Sequence, residues 1–454
     1  MNGQDSSMTT ARMTGIIDGP IMPTLARLTV PVLVVIAAQT FVSILEAYWV
    51  SRLGTAAIAG VAVVLPLFIL MGTMSNGGIG GGVSSAVSRA LGAGRRDDAN
   101  ALLTHAVVIA LAFGMLFAVT AFAAGPRLYA GIGAEGASLT YALTFSAWVF
   151  GGAPLIWVVN LMAAAMRGAG EVRLPAKVSL AGAVILVPLS PLLILGAGPV
   201  PGLGLAGAGI ATLLYYGAAF GVYCRYLVGG RGVLVLRRTR LERHGFAAIM
   251  QVGGISAIGT LLTSLTAVGL TGVVGKAGPD ALAGYGIASR IDSLLVPLMF
   301  GLGSGVVTMV AAASGAGHDE RAGQVIRLAA GIAFAVTTLL GLTLAFAPDA
   351  WITLFTDEPA PLAWGRDYLQ VNGPFYGFAG AGLIFYFAAQ GRGQMRAAFL
   401  AALMRLLITA GGAYAIVTAG FDLAAAFWAV AAGSIVFAIV NGIGLARTFR
   451  QTGS

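Results

Sequence analysis

The stretch GIGGGVSSAVSRALGAGRRDDA, Gly78 to Ala99, carries six glycines in 22 residues inside a long apolar region. A related stretch, GLGSGVVTMVAAASGAGHDERA, runs from Gly301 to Ala322. When Gly78 is aligned on Gly301, ten of the 22 positions are identical. We call the offset that aligns Gly78 with Gly301 the repeat length. Internal similarity of this kind predicts that the chain consists of two related halves.

Two further pairs of segments keep the same order and nearly the same offset. MRGAGEVR, which begins at Met166, matches the segment Gln390–Arg396 at the repeat length, with Gly168 aligned on Gly391. LGTAAIAG, which begins at Leu53, matches AGPDALAG, which begins at Ala277, at an offset greater by one. Chance matches are common between segments rich in Ala and Gly, but three matches in order at almost one offset indicate a duplication.

The composition places both halves in a membrane. The 454 residues are 58% hydrophobic and 9% charged, with a mean hydropathy of +0.90, whereas soluble domains carry about 25% charged residues. Apolar runs of 18 or more residues recur along the chain, and each can cross a hydrocarbon layer about 30 Å thick. Lipid leaves backbone groups without partners unless the segment is helical, and the alternation typical of a membrane β-barrel is missing. We therefore predict an all-α integral membrane protein.

Twelve membrane spans are predicted, six in each half. Their expected ranges are 23–52, 55–91, 98–125, 138–167, 174–197, 204–228, 245–275, 280–314, 320–347, 362–391, 396–419 and 423–447. Because six is even, both halves enter the membrane in the same orientation, which predicts two six-helix lobes related by a pseudo-two-fold axis along the membrane normal. The predicted domains are an N-lobe of residues 1–228, a basic linker of residues 229–244 and a C-lobe of residues 245–454.

Positive charge is concentrated on one side of the predicted membrane. The formal net charge is +9, and most Arg and Lys residues fall in alternate loops, including six arginines from Arg225 to Arg243. The positive-inside rule places these loops and both termini in the cytoplasm, which implies a multi-pass protein of the plasma (inner) membrane. The charge is thus a topology signal, and nucleic acid is not an expected partner.

Catalytic and metal-binding residue sets are missing from the sequence. Cys224 is the single cysteine and there are three histidines, so we predict neither a metal site nor a cofactor. A P-loop is also missing, so ATP is not the expected direct energy source. An integral membrane enzyme would need paired acids or a histidine cluster inside the bilayer, whereas each half offers one isolated acid. We therefore predict that the protein is not an enzyme.

Glycines of the repeated stretches favour close helix packing. Gly78 and Gly82 are four residues apart, as are Gly301 and Gly305, and small residues at this spacing let neighbouring backbones approach in lipid. A smooth face also lets a helix slide or tilt, so these glycines are candidates for conformational change. Tight packing without motion is the alternative.

Pro31 removes one backbone hydrogen bond of span 1 and can kink the helix. The kink could change during transport or could be a static bend.

Two acids lie clearly within predicted spans, Glu46 and Asp292. A charged group inside a bilayer costs at least about 2.5 kcal/mol, so such residues are functional candidates. A carboxyl group in apolar surroundings can take up and release a proton near neutral pH. The alternative for Glu46 is a location at the membrane interface. Asp292 is two residues from Arg290, and either the two neutralise each other or Asp292 contacts a second proton or a cationic substrate.

The chain resembles the MATE (multidrug and toxic compound extrusion) family over nearly its whole length. The resemblance rests on the order and spacing of five features: Pro31 followed by EAYWVSRLG from Glu46, the glycine-rich helix ending in GAGRRDDA, RGAGEVRLP from Arg167, SPLLILG from Ser190 with GLAGAGIAT from Gly204, and GYGIASRID from Gly284. It implies two six-helix lobes around a central cavity. It also implies export of cationic or amphipathic organic compounds by alternating access, in exchange for H⁺ or Na⁺.

The resemblance also implies residue roles. In the family the position of Glu46 is usually Asp, and it is the coupling residue of the N-lobe. The family's fifth span often reads Asn-x-x-x-Asp-Pro, and both side chains join that carboxylate in an ion site, but this chain has Leu186 and Ser190 before Pro191. Glu46, Ser190 and Thr212 would form a poor Na⁺ cage, whereas one carboxyl can carry a proton. We therefore favour H⁺ coupling and keep Na⁺ coupling as the alternative.

Further expectations concern the substrate. Trp157 and Tyr376 could stack on organic cations, and Asn160 could line the cavity or cross-link helices. A lipid-linked oligosaccharide flippase, from a related superfamily, is a second transport hypothesis, although such proteins tend to have more spans and a strongly basic cavity. We expect a monomer whose partners are small organic substrates, a coupling cation and membrane lipids.

Overall fold

The computed structural model describes residues 13–452, most of which are helical. In the N-terminal half the helices form six consecutive segments at the predicted places. These are Ile21–Ser51 (span 1), Thr55–Thr73 continued by Ile79–Gly92 (span 2), Arg96–Gly131 (span 3), Gly136–Gly151 continued by Ala153–Gly168 (span 4), Arg173–Leu195 (span 5) and Leu205–Val228 (span 6). A short antiparallel pair of strands, Gly196–Ala197 and Val200–Pro201, follows span 5.

The C-terminal half repeats this order of six segments. They are Arg243–Gly275 (span 7), Pro279–Ala288 continued by Arg290–Gly315 (span 8), Asp319–Phe346 (span 9), Pro359–Asn372 continued by Tyr376–Arg392 (span 10), Arg396–Leu406 continued by Ala413–Thr418 (span 11) and Leu423–Thr452 (span 12). A four-residue helix, Asp349–Ile352, lies between spans 9 and 10.

Length and composition support membrane crossing for most of these segments. Within the described residues, ten helices are long and apolar enough to cross a membrane, and the bent helix pair of span 4 brings the number to 11. Span 10 is divided by the 3₁₀ turn Gly373–Phe375 into helices of 14 and 17 residues. Large apolar side chains remain exposed along the spans, as expected where hydrocarbon surrounds the protein; examples are Ile44, Phe122, Val184, Val268 and Leu339.

Breaks within the spans position polar groups. The π-helical turn Met74–Gly78 interrupts span 2, and a second one, Leu407–Gly412, interrupts span 11. The two helices of span 4 meet at a bend of 47°. A π-helical turn shifts the helix register and frequently marks a functional position, and the first one contains Ser75, which belongs to the candidate site described below.

The internal repeat is visible in the backbone conformation. Gly94 and Gly317, which are one repeat length apart, have φ angles of +74° and +78°. Gly170 and Gly393 have the same separation and φ angles of +73° and +77°. Residues with a Cβ rarely adopt this left-handed conformation. The same glycine turn therefore ends corresponding helices in both halves.

Contacts divide the chain into two compact units that exchange two short segments. Val30–Gly253 forms the body of unit 1, whereas Pro20–Thr29 and the chain from Gly254 onward form unit 2. The start of span 1 therefore packs in unit 2, and the start of span 7 packs in unit 1. The predicted lobe boundaries at residues 228 and 245 follow the chain instead, and they stay a prediction. Residues 1–12 and 453–454 lie outside the described residues, so the cytoplasmic location of both termini also stays a prediction.

Two of the predicted packing glycines lie against the first parts of spans 7 and 1, which the two units exchange. Within unit 1, a Cβ placed on Gly82 of span 2 would lie 2.5 Å from the backbone nitrogen of Gly253 in span 7. Within unit 2, a Cβ placed on Gly305 of span 8 would lie 2.9 Å from the Oγ1 atom of Thr29 in span 1. Glycine is needed at Gly82 because the neighbour is backbone, which cannot turn away as a side chain can.

We predict that Gly82→Ala destabilises the protein, since the new methyl group overlaps the span 7 backbone. Overpacking of this kind costs about 1–3 kcal/mol. Gly72→Ala, on the same span, is the matched control because a Cβ there meets nothing within 4 Å. Thermal unfolding in detergent, followed by intrinsic fluorescence, should show a lower midpoint for Gly82→Ala only. Equal midpoints for the two variants would contradict the packing role of Gly82.

Candidate functional site

Glu46 lies half-buried on span 1 and begins a chain of polar side chains in unit 1. Tyr216 of span 6 interacts with the side chain of Asn160 in span 4 and, more weakly, with the carboxyl of Glu46. Asn160 Nδ2 donates in turn to Ser75 Oγ, at 2.9 Å. We call these four residues the N-lobe polar chain. It connects the carboxyl of span 1 with the π-helical turn of span 2.

The predicted oxygen ligands of spans 5 and 6, Ser190 and Thr212, differ in their hydrogen bonding. Ser190 is buried, and its Oγ atom has no hydrogen-bond partner among the described residues. Leu186, one turn earlier, packs with Val42 of span 1 in an apolar cluster. The Thr212 hydroxyl donates to the Ala208 carbonyl of its own helix, at 3.0 Å. Apolar packing therefore occupies the position where the family pattern has an amide.

Trp157 is a core residue of unit 1. Its side chain is fully buried, and its ring stacks on Phe113 with centroids 5.3 Å apart and an interplanar angle of 20°. The ring of Phe117 lies 5.8 Å away on span 3. A substrate could reach Trp157 only after this packing opens, so its predicted place in a substrate cavity stays a prediction. For Asn160, the structure supplies the helix cross-link through its bond to Ser75.

Asp292 lies in a second polar cluster, which belongs to unit 2. The Tyr368 hydroxyl of span 10 donates to Asp292 Oδ2 at 2.5 Å. Tyr285, Tyr376 and Arg405 also interact with the Asp292 carboxyl. We call these five residues the C-lobe polar cluster. It brings together spans 8, 10 and 11 and contains Tyr376, which the sequence suggested as a substrate contact.

The pairing of Asp292 with Arg290 that the sequence left open is not found in the described structure. The guanidinium carbon of Arg290 instead lies 4.7 Å from the ring centroid of Phe355. Residues two positions apart point to different sides of a helix, so the Asp292 carboxyl faces Tyr368 while Arg290 faces away. Asp292 therefore remains available as a functional carboxyl.

The predicted conformational residues occupy helix interiors. Pro31 lies inside the continuous helix of span 1. It is two residues past Thr29, where the part of span 1 that packs in unit 2 ends. Gly78 is the last residue of the π-helical turn of span 2, and Gly301 is buried in span 8. These locations suit a bend or a sliding contact, but motion at any of them stays a prediction.

Sequence reasoning missed five members of the two clusters, namely Ser75, Tyr216, Tyr285, Tyr368 and Arg405. The serine and the three tyrosines lie in apolar spans, and a search restricted to acids passes over them. Arg405 lies within the predicted eleventh span, so the cost of an embedded charge was an available signal. Within residues 13–452, no three His, Cys, Asp or Glu side chains are grouped in a way that could hold a metal ion.

Comparison with known proteins identifies the family. The family model MatE matches residues 31–192 and 256–415. The FAD transporter of Shewanella oneidensis is 27% identical to this chain over 404 residues, which cover 87% of each protein. The probable multidrug resistance protein NorM of Burkholderia mallei is 30% identical over 349 residues, which cover 74% of this chain and 72% of the relative.

Solved structures share the fold. A structure described as "Crystal structure of MATE in the bent conformation" has a TM-score of 0.89 at 23% identity and covers 97% of this chain and 98% of its own. An outward-facing multidrug resistance MATE transporter has a TM-score of 0.86 at 23% identity and covers the same shares of the two chains. The predicted all-α membrane fold is thereby confirmed. The chain belongs to the MATE family of multidrug efflux transporters, and it is a multi-pass membrane transporter and not an enzyme.

Proposed function

We propose that this protein is a secondary antiporter that exports cationic or amphipathic organic compounds in exchange for H⁺ by alternating access. Glu46 is the coupling residue of the N-lobe. The observation that carries the proposal is the position of this single carboxyl at one end of the N-lobe polar chain. A proton taken up by Glu46 removes a charge that acts on Tyr216, and the proposed path of this change runs through Asn160 to Ser75 in the π-helical turn of span 2.

The surroundings of Glu46 favour a proton over Na⁺. Sodium requires several oxygen ligands around one point, in the manner of other hard cations. Leu186, at the position of the family's amide, contributes only apolar contact. Ser190 and Thr212 each offer one hydroxyl oxygen, and the Thr212 hydroxyl keeps its lone pairs although it donates to the Ala208 carbonyl. Two hydroxyls and one carboxylate are few ligands for sodium, whereas one carboxyl is enough to carry a proton.

Asp292 is proposed as a second cation-coupling residue. In the C-lobe polar cluster, the Tyr368 hydroxyl donates to the charged carboxylate, and Arg405 is a cation on span 11 that interacts with the same carboxylate. Protonation of Asp292 would weaken both interactions. The cluster thus offers a way for a proton to change contacts between spans 8, 10 and 11.

We further propose a monomer in the plasma membrane with both termini in the cytoplasm.

A second candidate substrate follows from the relative in Shewanella oneidensis, whose name is FAD transporter. This relative matches 87% of the chain, so a flavin dinucleotide is a specific alternative to organic cations. Because FAD carries phosphate groups and organic cations carry positive charge, the two candidates are chemically opposite. Competition between them can therefore decide the substrate class.

We predict that Glu46→Gln strongly lowers transport driven by a pH gradient, because an amide cannot carry the proton and Asp292 is then the single proposed coupling carboxyl. Purified protein in proteoliposomes would be given either a pH gradient or a sodium gradient, and uptake of an organic cation dye would be followed. Wild-type protein should respond to the pH gradient alone. Glu46→Asp, which keeps the carboxyl, is the matched variant and should retain transport.

Two outcomes would contradict this assignment. Full pH-driven transport by Glu46→Gln would remove Glu46 from the coupling step. Transport by wild-type protein that responds only to the sodium gradient would show that the oxygen ligands around Glu46 are sufficient for sodium after all.

We predict that Asp292→Asn lowers the number of protons taken up per substrate exported, because one of two titrating carboxyls is lost. The matched control is Asp367→Asn, which neutralises the neighbour of Tyr368 and leaves the Tyr368–Asp292 bond in place. Proton uptake would be measured with a trapped pH-sensitive dye alongside substrate flux. An unchanged proton count together with a higher KM would instead make Asp292 a substrate contact.

We predict that an excess of a second organic cation inhibits dye transport and that FAD does not. The reason is that Glu46 and Asp292 are both carboxyls, which attract cations and repel phosphate. Competition assays in the same proteoliposomes measure the inhibition of dye transport by each compound. Inhibition by FAD together with direct uptake of labelled FAD would replace the cation-export proposal by flavin transport.

A further inference from the structure

The linker of residues 229–244 follows a fixed course over unit 1. Arg96 Nε, at the start of span 3, donates to the Val233 carbonyl at 3.1 Å. Further along span 3, His105 Nε2 accepts a hydrogen bond from the Glu242 backbone N–H at 2.9 Å. The linker is therefore hydrogen-bonded to span 3 near both of its ends.

A cavity of about 260 Å³ lies beneath the last part of the linker, bounded by the end of span 2 and the starts of spans 3 and 7. Its lining includes three arginines, Arg89, Arg95 and Arg240, and two histidines, His105 and His244. All of them belong to unit 1, so the cavity is a feature of that unit alone.

The two acids that line the cavity are each held by a neighbouring base. Asp98 Oδ2 lies 3.1 Å from Arg95 Nη1, and Glu242 Oε2 lies 2.9 Å from His244 Nδ1. Arg240, in contrast, is exposed and has no ion-pair partner among the described residues. The positive charge contributed by the linker is thus left uncompensated at the cavity.

A second, independent feature of the cavity is the hydroxyl next to this arginine. The Oγ1 atom of Thr239 is shielded from solvent and has no hydrogen-bond partner among the described residues. A shielded hydroxyl without a partner is unfavourable unless a ligand completes it. Arginine and a hydroxyl together match the oxygens of a phosphate group, because the planar guanidinium can donate to two of them at once.

Span 2 adds to the attraction for an anion. Arg89, in the last turn of span 2, donates to Ser85 Oγ in its own helix, which fixes the guanidinium at the cavity wall. The N-terminus of span 3 also lies beside the cavity, but Asp97 and Asp98 in its first turn already offset the positive end of that helix.

We propose that this cavity binds a phosphate group, with Arg240 and Thr239 of the linker and Arg89 of span 2 as its donors. The phosphate belongs either to a soluble molecule or to the headgroup of an anionic lipid. The site is separate from Glu46 and from Asp292, and it does not depend on the proposed transport function. A bound phosphate would join the linker to the end of span 2.

The test uses the full-length protein, purified in a neutral, phosphate-free detergent. Inorganic pyrophosphate is titrated calorimetrically, and in a parallel experiment nanodiscs of mixed phosphatidylglycerol and phosphatidylcholine are analysed for co-purifying lipid. Arg240→Gln should weaken the binding at least about tenfold, since a charge-assisted hydrogen bond is lost. Arg238→Gln removes the same charge two residues away, outside the cavity lining, and should change it less than about twofold. Thr239→Val, which keeps the side-chain volume, should weaken the binding severalfold.

The outcomes distinguish a soluble phosphate from a lipid headgroup and show whether the cavity binds phosphate at all. Saturable pyrophosphate binding that is lost in Arg240→Gln supports a soluble phosphate, and enrichment of phosphatidylglycerol that is lost in the same variant supports a lipid headgroup. Binding of neither probe overturns the proposal. Equal weakening by Arg238→Gln and Arg240→Gln also overturns it, because that result reports the net charge of the linker and not a site.

Discussion

The close approach of helix backbones at glycine is the constraint on which the rest of the structure depends. Helices in lipid gain little from burying apolar surface against one another, so association relies on contact between small residues. Gly82 and Gly305 supply that contact at equivalent positions of the repeat. Each receives the start of a helix from the other half of the sequence, which is why the compact units exchange Pro20–Thr29 for the beginning of span 7.

The duplication has kept the backbone while the chemistry of the halves has diverged. One repeat length after Glu46 the sequence has Gly269, and one repeat length before Asp292 it has Ile69. Neither carboxyl has a counterpart, and their partners differ as well. Glu46 interacts with a tyrosine that is joined to neutral amide and hydroxyl groups, whereas Asp292 interacts with tyrosines and with Arg405. Protonation would therefore remove a charge that has only neutral partners in unit 1, and in unit 2 a charge that acts on an arginine.

The sequence is sufficient for features that depend on local pattern and insufficient for those that depend on contacts between spans. Span boundaries, the repeat and the left-handed turn at Gly94 all follow from apolar run length and glycine placement. The bond between Asp292 and Tyr368 joins residues 76 positions apart, and the bond between Asn160 and Ser75 joins residues 85 positions apart. Such contacts depend on helix rotation, which span prediction leaves undetermined. The burial of Trp157 is another case, because a tryptophan in an apolar span fits a core and a cavity wall equally well.

The chain passes between the two compact units at three points, once in the turn at Gly19 and Pro20 and twice within continuous helices. Span 1 leaves unit 2 after Thr29, close to Pro31, and span 7 leaves unit 1 after Gly253, next to Gly254. Pro31 and Gly254 are one repeat length apart, so the repeat places a helix-weakening residue at both crossings that lie within helices. Proline removes a backbone hydrogen bond, and glycine costs about 1 kcal/mol in a helix interior. The two helices are therefore least resistant to bending at these two residues. Glu46 follows Pro31 on the same helix, on the part of span 1 that packs in unit 1, so the proposed coupling carboxyl and the weakest point of its helix lie on one continuous element.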